Sequence, residues 1–267
     1  MPLPAGIMIG DRLLDEILAA HGAVLTSVDF EQAVLAEADF SGAHLTRVQF
    51  PSSDLRNAHF AEAKIEQSNF RNAMLENVRF HDAVILKTAF NETSLNGAYF
   101  SHAKVTECDF SGSTMELACF HRAKLDNCRF RHAKCAGTGF THAQIRSGDF
   151  SHAKLGGAKF SHAELQATRF VNADLADADF REAHLSGTDF EGAVLRKARF
   201  RGAELFAANF LGADLTGAIE LTPLQLAQAR TDRTTLLPNG IRGPYFKMSG
   251  AEKPNLYLAG RDGAEIA

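Results

Sequence analysis

The chain has 267 residues, a formal net charge of −4, four cysteines, no tryptophan and 21 phenylalanines, with 45% of its residues hydrophobic. This suits one repeat domain with short extensions, and no apolar run approaches the roughly 18 residues that a membrane-spanning helix needs. The amino terminus MPLPAGIMIG has no basic residue ahead of its short apolar run, which argues against a secretory signal and for a cytoplasmic protein.

Residues 11–22 read as a short amphipathic helix. Asp11 is its N-cap, Leu13, Leu14, Ile17 and Leu18 share one face, and Gly22 is the stop. Such a helix would cap whatever follows, or offer Leu14, Ile17 and Leu18 to a partner.

From Ala23 to Leu215 a large apolar residue returns at every fifth position without a slip of register. Phenylalanine occupies every tenth residue from Phe30 to Phe210, and between them fall Leu25, Leu35, Leu45, then leucine or a relative up to Leu215, with Met115 and Cys135 as variants. There are 39 such centres. Two places before each centre stands a small residue, most often alanine, so the unit is A-x-[LF]-x-x. A five-residue period fits neither the 3.6-residue helix nor the two-residue strand. It fits a solenoid, in which each unit forms one side, the centre and the small residue point inward, and the other three face solvent. Four sides close a coil of 20 residues. Coils stacked at roughly 4.8 Å make a rod of roughly 47 Å.

These residues resemble the pentapeptide-repeat family, whose motif A-[DN]-L-x-x stands as Ala173-Asp174-Leu175 and Ala213-Asp214-Leu215. The resemblance implies an all-β solenoid, a right-handed quadrilateral β-helix, and leaves function open. The chain then divides into an amino-terminal segment with a capping helix (1–22), the β-helix (23–219), and a carboxy-terminal helix and tail (220–267). Quinolone-resistance members of the family carry projecting loops, and no insertion interrupts this repeat.

After Leu215 the register fails, because Glu220 stands where the next centre is due. Thr222 as N-cap and Pro223 at the first helical position start a short helix to about Arg230, with Leu224 and Leu226 on it. Thr234–Ile241 (T-T-L-L-P-N-G-I) resembles a tail that follows many repeats of the family. Phe206 and Leu211, in outward slots near this end, would seat that helix or contact a second copy. Residues beyond Gly243 read as an ordered arm or a loose tail.

Sorting outward slots by the 20-residue coil gives columns. Asp109, Arg129, Asp149, Arg169 and Asp189 form an alternating ladder, suited to cross-strand pairing of about 0.2–1 kcal/mol per pair. His132 stacks over His152, and His142 over His162 with Glu182 next. Three residues in line on a flat wall cannot readily surround a tetrahedral ion, so solvated histidine is preferred to a metal site. Cys108 and Cys128, one coil apart at small-residue positions, and Cys135 at a centre, read as small buried hydrophobes. Net charge runs −6 over 21–120, +6 over 121–170 and −4 over 171–220, yet no side carries a continuous acidic stripe, and a filled rod implies no cavity.

No G-x-S-x-G, H-E-x-x-H or glycine-rich phosphate loop is present. The sequence therefore reads as a non-enzymatic bacterial protein-binding scaffold or adaptor without cofactor or metal, with an effector or secretion component as its suggested partner and no direct nucleic-acid or membrane contact. It would be a monomer or a homodimer through a terminal segment. The contact candidates are Leu14, Ile17, Leu18, Phe206, Leu211, Leu224 and Leu226. The alternative is a DNA-mimicking, gyrase-binding topoisomerase partner that confers inhibitor resistance.

Overall fold

A computed structural model describes the backbone of residues 8–9 and 12–13 and the whole of residues 22–254. Met8–Ile9 (β1) and Arg12–Leu13 (β2) pair antiparallel. The helix expected from Asp11 therefore does not begin there: its first turn is taken up by a strand whose backbone bonds run to another strand instead of along a helix. The candidates Leu14, Ile17 and Leu18 lie outside the described residues.

From Val24 the five-residue period becomes a parallel β-solenoid. Seven three-residue strands, β3 (Val24–Thr26), β4 (His44–Thr46), β5 (Lys64–Glu66), β6 (Val84–Leu86), β7 (Lys104–Thr106), β8 (Lys124–Asp126) and β9 (Gln144–Arg146), pair in sequence order, each 20 residues after the last. Three further ladders of single parallel bridges keep the same 20-residue offset, as in Asp29↔Gln49, Val34↔Asp54 and Asp39↔His59, so each coil has four sides. The offset persists to Arg199↔Ile219. Pro51 sits just after a centre, where its carbonyl still accepts from the Gln32 N–H.

Every centre from Leu25 to Leu215 is buried, as are the small residues two places before them apart from the half-buried Val28 and Ala33 at the first coil. Phenylalanines fill two opposite sides. Each ring stacks on the ring one coil away, with centroids from 4.4 Å (Phe130–Phe150) to 5.4 Å (Phe180–Phe200). Each also meets rings of the opposite column edge-on, as Phe140 meets Phe150 at 5.6 Å and 85°. Offset stacking in one direction and edge contact in the other suit the aromatic quadrupole. Ser and Thr at the small position carry their hydroxyls inside because a carbonyl is waiting: Ser53 donates to Phe50 O (2.7 Å), and Thr168 to Ile145 O (3.1 Å).

The corners explain the outward residues. At all 39 positions two after a centre, from Ser27 to Gly217, φ lies between 49° and 72°. This is the left-handed region, where Gly, Asn, Asp and His are enriched. His102, His132, His142, His152 and His162 all occupy such corners. The residue before the centre braces the turn that follows. Asp29, Asp39, Asp109, Asp149, Asp179 and Asp214 each accept from the N–H two residues on, a local turn bond typical of Asp and Asn.

At the carboxy-terminal end, Pro223–Gln228 form helix α1. Thr222 and Gln225 make a reciprocal capping box, and Ala229 is the C-cap. Gln225 Nε2 donates to Phe200 O and Ala203 O, both at 2.8 Å, which satisfies the Ala203 carbonyl where the coil ends and adds a second donor to Phe200 O. The segment beyond α1 is packed on the rod. Thr235 donates to Phe210 O (2.8 Å), Leu236 bridges Asp214, and Gly240 turns the chain at φ 83°. The arm then returns, with Tyr245 OH on Glu252 (3.1 Å) and Ala251 buried. This end is thus closed by a helix and a folded arm together. No helix among the described residues is long and apolar enough to cross a membrane.

Candidate functional site

Of the expected contact residues, Leu226 is buried in the core and serves to seat α1. Leu211 is half-buried, whereas Phe206 and Leu224 are 67% and 61% exposed and flank an open depression of ≈ 440 Å³ with Gly202, Thr222 and Gln228. The structure therefore splits the carboxy-terminal candidates into an anchor and an exposed apolar pair.

The charged ladder is only partly realised. Asp149 bonds Arg131 Nε at 2.6 Å, at a corner, while its ladder neighbour Arg169 stays at 3.9 Å. Asp149 also accepts from Ser151 N–H and Oγ–H, which together with Arg131 hold its carboxyl below the usual range against the opposing effect of burial. The ladder aspartates are occupied by their own turns before they can reach along the column.

All four cysteines are free. Burial pushes the Cys108 thiol up to about 12 and raises those of Cys128 and Cys135 as well, leaving Cys119 as the accessible one. His132 stacks on His152 (4.9 Å) and His142 on His162 (4.7 Å), as the columns suggest. Among the described residues no group of three or more His, Cys, Asp or Glu is arranged to hold a metal ion.

The main departure from the sequence reading is on the wall whose centres are Phe40, Phe60 and onward to Phe200. The interior is filled as expected, but this wall is not flat. Over two coils its outward and corner positions include Ala136, Gly137, Gly139, Thr141, Gly156 and Gly157, with His142, Lys159, Ser161 and His162 as the larger side chains. With so little side chain, the backbone itself becomes the floor of a trough. One depression, ≈ 390 Å³, is lined by Leu117, Cys119, His121, Gly137, Gly139, Thr141 and Lys159. A second, ≈ 710 Å³, begins at the same Lys159 and runs past Ser161, Asp179, Arg181 and Arg199 to Ile219. Lys159 lines both, so the two depressions lie end to end along the rod axis as a trough. Leu117, 75% exposed, gives it an apolar rim.

Its far half is charged. Arg181 grips Asp179 through two bonds of 2.8 and 2.6 Å, which lower the Asp179 carboxyl below its ordinary value. Lys159, Lys197 and Arg199 add three further cations to the lining and Asp177 a second carboxylate. Counting this wall with both its corners, positions 116–202 hold seven basic and four acidic side chains, net +3, whereas positions 36–102 hold two basic and five acidic, net −3. The polarity cancels when the whole wall is summed, which hid it. The trough had one legible signal nonetheless: Gly139 stands in an outward wall slot, whereas Gly137 and Gly157 occupy left-handed corners that favour glycine anyway.

The same repeat architecture is found in known proteins. A family model described as "Pentapeptide repeat region" matches residues 23–100, and one described as "Pentapeptide repeats (8 copies)" matches 93–131, 123–161, 158–196 and 183–219. The chain belongs to the pentapeptide-repeat family. The matches end where the solenoid ends. No curated protein sequence matches significantly. Among solved structures, HetL, a pentapeptide repeat protein involved in heterocyst differentiation regulation in the cyanobacterium Nostoc sp. strain PCC 7120, is 22% identical over 81% of this chain and 92% of its own, with a TM-score of 0.47. A trypsin-treated form of QnrB1, a plasmid-mediated fluoroquinolone resistance protein, is 23% identical over 71% and 91%, with a TM-score of 0.44. A pentapeptide repeat protein of the Arabidopsis thaliana thylakoid lumen is 26% identical over 52% and 74%, with a TM-score of 0.24.

Proposed function

We propose that this pentapeptide-repeat protein is a non-enzymatic, cytoplasmic scaffold that holds a partner protein along the trough of the Phe40–Phe200 wall. The observation that carries this reading is the glycine floor between Gly137 and Gly157, where a rigid rod exposes backbone beside Leu117 and Lys159. A packed β-solenoid presents such a surface without loop ordering, so little conformational entropy is lost on binding. The exposed pair Phe206 and Leu224 supplies a second apolar contact at the end, for the partner or for a second copy.

Gly139→Arg tests the reading. Gly139 bridges Cys119 and Lys159 in a column that already holds Arg79 and Arg199, and a Cβ there meets nothing closer than 3.9 Å, so the substitution fills the trough and leaves the coil intact. Affinity capture from cells of the source organism is expected to lose its partner with Gly139→Arg and keep it with Ala89→Arg on the opposite wall. Equal capture by both variants removes the trough from the account. The acidic stretch 36–102 of the same wall favours one second reading, DNA mimicry toward a topoisomerase. Its mark would be gyrase or topoisomerase IV subunits captured equally by both variants.

A further inference from the structure

Four histidines follow one another along the corner beside the trough, and His121 lines it. His102 meets His121 edge-on at 6.1 Å, His121 meets His142 edge-on at 5.7 Å, and His142 stacks on His162 at 4.7 Å. The corner conformation accounts for His102, His142 and His162, but His121 stands one residue outside it and lines the depression itself. The result is a continuous run of imidazoles over successive coils, beside Arg122 and Lys159. Resting on the scaffold reading above, we propose that the trough takes an acidic peptide segment of the partner, and that the imidazole run makes this docking tighten as pH falls.

Charge and shape both select the occupant. The trough runs from Leu117 to Ile219, five coil steps or roughly 24 Å, the length of about seven extended residues. Its glycine floor admits a peptide backbone closely, and Leu117 offers one apolar contact. Arg122, Lys159, Lys197 and Arg199 offer cations along the path, while Arg181 is engaged by Asp179. Asp177, Asp179 and Glu182 oppose any anion on this path, and a duplex, with a phosphate about every 1.7 Å, meets that repulsion more densely than an extended peptide with at most one carboxylate per residue.

The groups facing His142 are predominantly basic or neutral. His121 and His162 touch it and Arg122 lies beside it; Thr141 and Lys159 occupy the trough side. On the adjoining wall Lys124, Gln144 and Glu164 are in register, and Glu182 takes the next corner past His162. Partial desolvation first, then His162, Arg122 and His121, hold the His142 imidazole below its ordinary value. A carboxylate placed there offsets the mutual repulsion, so binding draws protons onto the run. Imidazoles change charge between about pH 5 and 8, and the sign follows: affinity rises as pH falls through that range.

The test uses the full chain and a fluorescein-labelled octaglutamate peptide, read by anisotropy at low salt and pH 5.5 and 8.0, with octalysine and a 12-base-pair DNA duplex as companions. Octaglutamate is expected to bind on the order of tenfold tighter at pH 5.5, and the double variant His142→Asn, His162→Asn, which leaves His102 and His121, to show a smaller pH dependence while retaining its circular dichroism. Asn keeps the left-handed corner. Gly139→Glu, which fills the floor without adding a cation, is expected to abolish binding at both pH values. Octaglutamate affinity equal at the two pH values, or unchanged in the double variant, overturns the proposal. So does duplex DNA binding as tightly at the same place. If octaglutamate fails to bind while Gly139→Arg still abolishes partner capture, the acidic segment is wrong and the scaffold reading stands.

Discussion

Replacing Phe150 by alanine removes a ring that is fully buried at the middle of the rod. It stacks on Phe130 at 4.4 Å and Phe170 at 5.1 Å, and meets Phe140 and Phe160 edge-on at 5.6 and 6.2 Å. Large-to-small replacement of a buried phenylalanine costs about 3–5 kcal/mol, and each aromatic pair adds roughly 0.5–1.5 kcal/mol beyond its area. The coils above and below are held by backbone ladders and cannot collapse into the void, so Phe150→Ala is expected at the upper end, about 5 kcal/mol. Phe30 has two ring neighbours, Phe40 at 6.4 Å and Phe50 at 5.1 Å, and Phe30→Ala is expected to cost less, about 3 kcal/mol. The exposed corner change His152→Ala should stay within about 1 kcal/mol. Urea denaturation midpoints, followed by circular dichroism, give the ranking directly. Repeat arrays can lose all-or-none unfolding, so midpoints are compared in place of extrapolated energies. Equal losses for Phe150→Ala and His152→Ala would refute the inside–outside assignment.

Other consequences are equally specific. Gln225→Leu leaves the Ala203 carbonyl without its donor and the Phe200 carbonyl with only the Ala203 N–H and should cost about 1–3 kcal/mol, seen as a lower melting temperature; no change would mean that α1 does not close the end. Native protein should react with a thiol reagent at pH 8 at Cys119 alone, and at all four cysteines once denatured, since burial raises the other three thiols; fast labelling of Cys128 would contradict its burial. Asp149, Asp179 and Asp214 have carboxyls lowered in the fold. Their contribution to stability is therefore fully present above the unfolded value near 4 and is lost as pH falls through the lower folded values. Acid titration should show stability declining below about pH 4, and a decline beginning near pH 6 would point to histidine instead.

The period made the solenoid legible, because each inward position is named by its remainder on division by five and nothing in the repeat interrupts the count. Thr222 and Pro223 were legible for the same local reason, a cap and a first-turn proline adjacent in sequence. The trough was harder to read. Glycine at a corner and glycine on a wall look alike in a one-dimensional sequence, and Gly139 differs from Gly137 in what surrounds it, not in its type. The wall's polarity was also concealed, since acidic and basic halves cancel in a sum taken over the whole side. At the amino terminus the apolar spacing of Leu13, Leu14, Ile17 and Leu18 suggested a helix, but Arg12–Leu13 pair with Met8–Ile9. Short apolar runs do not distinguish helix from strand.

The central claim, that a partner lies along the trough, is tested most directly by a photo-crosslinking residue placed in turn at Cys119, on the trough, and at Ala89, on the opposite wall, in cells of the source organism. A discrete crosslinked partner from position 119 and none from position 89 is the expected result. A partner crosslinked from position 89 and not from 119 would place the interface on the other wall and contradict the account.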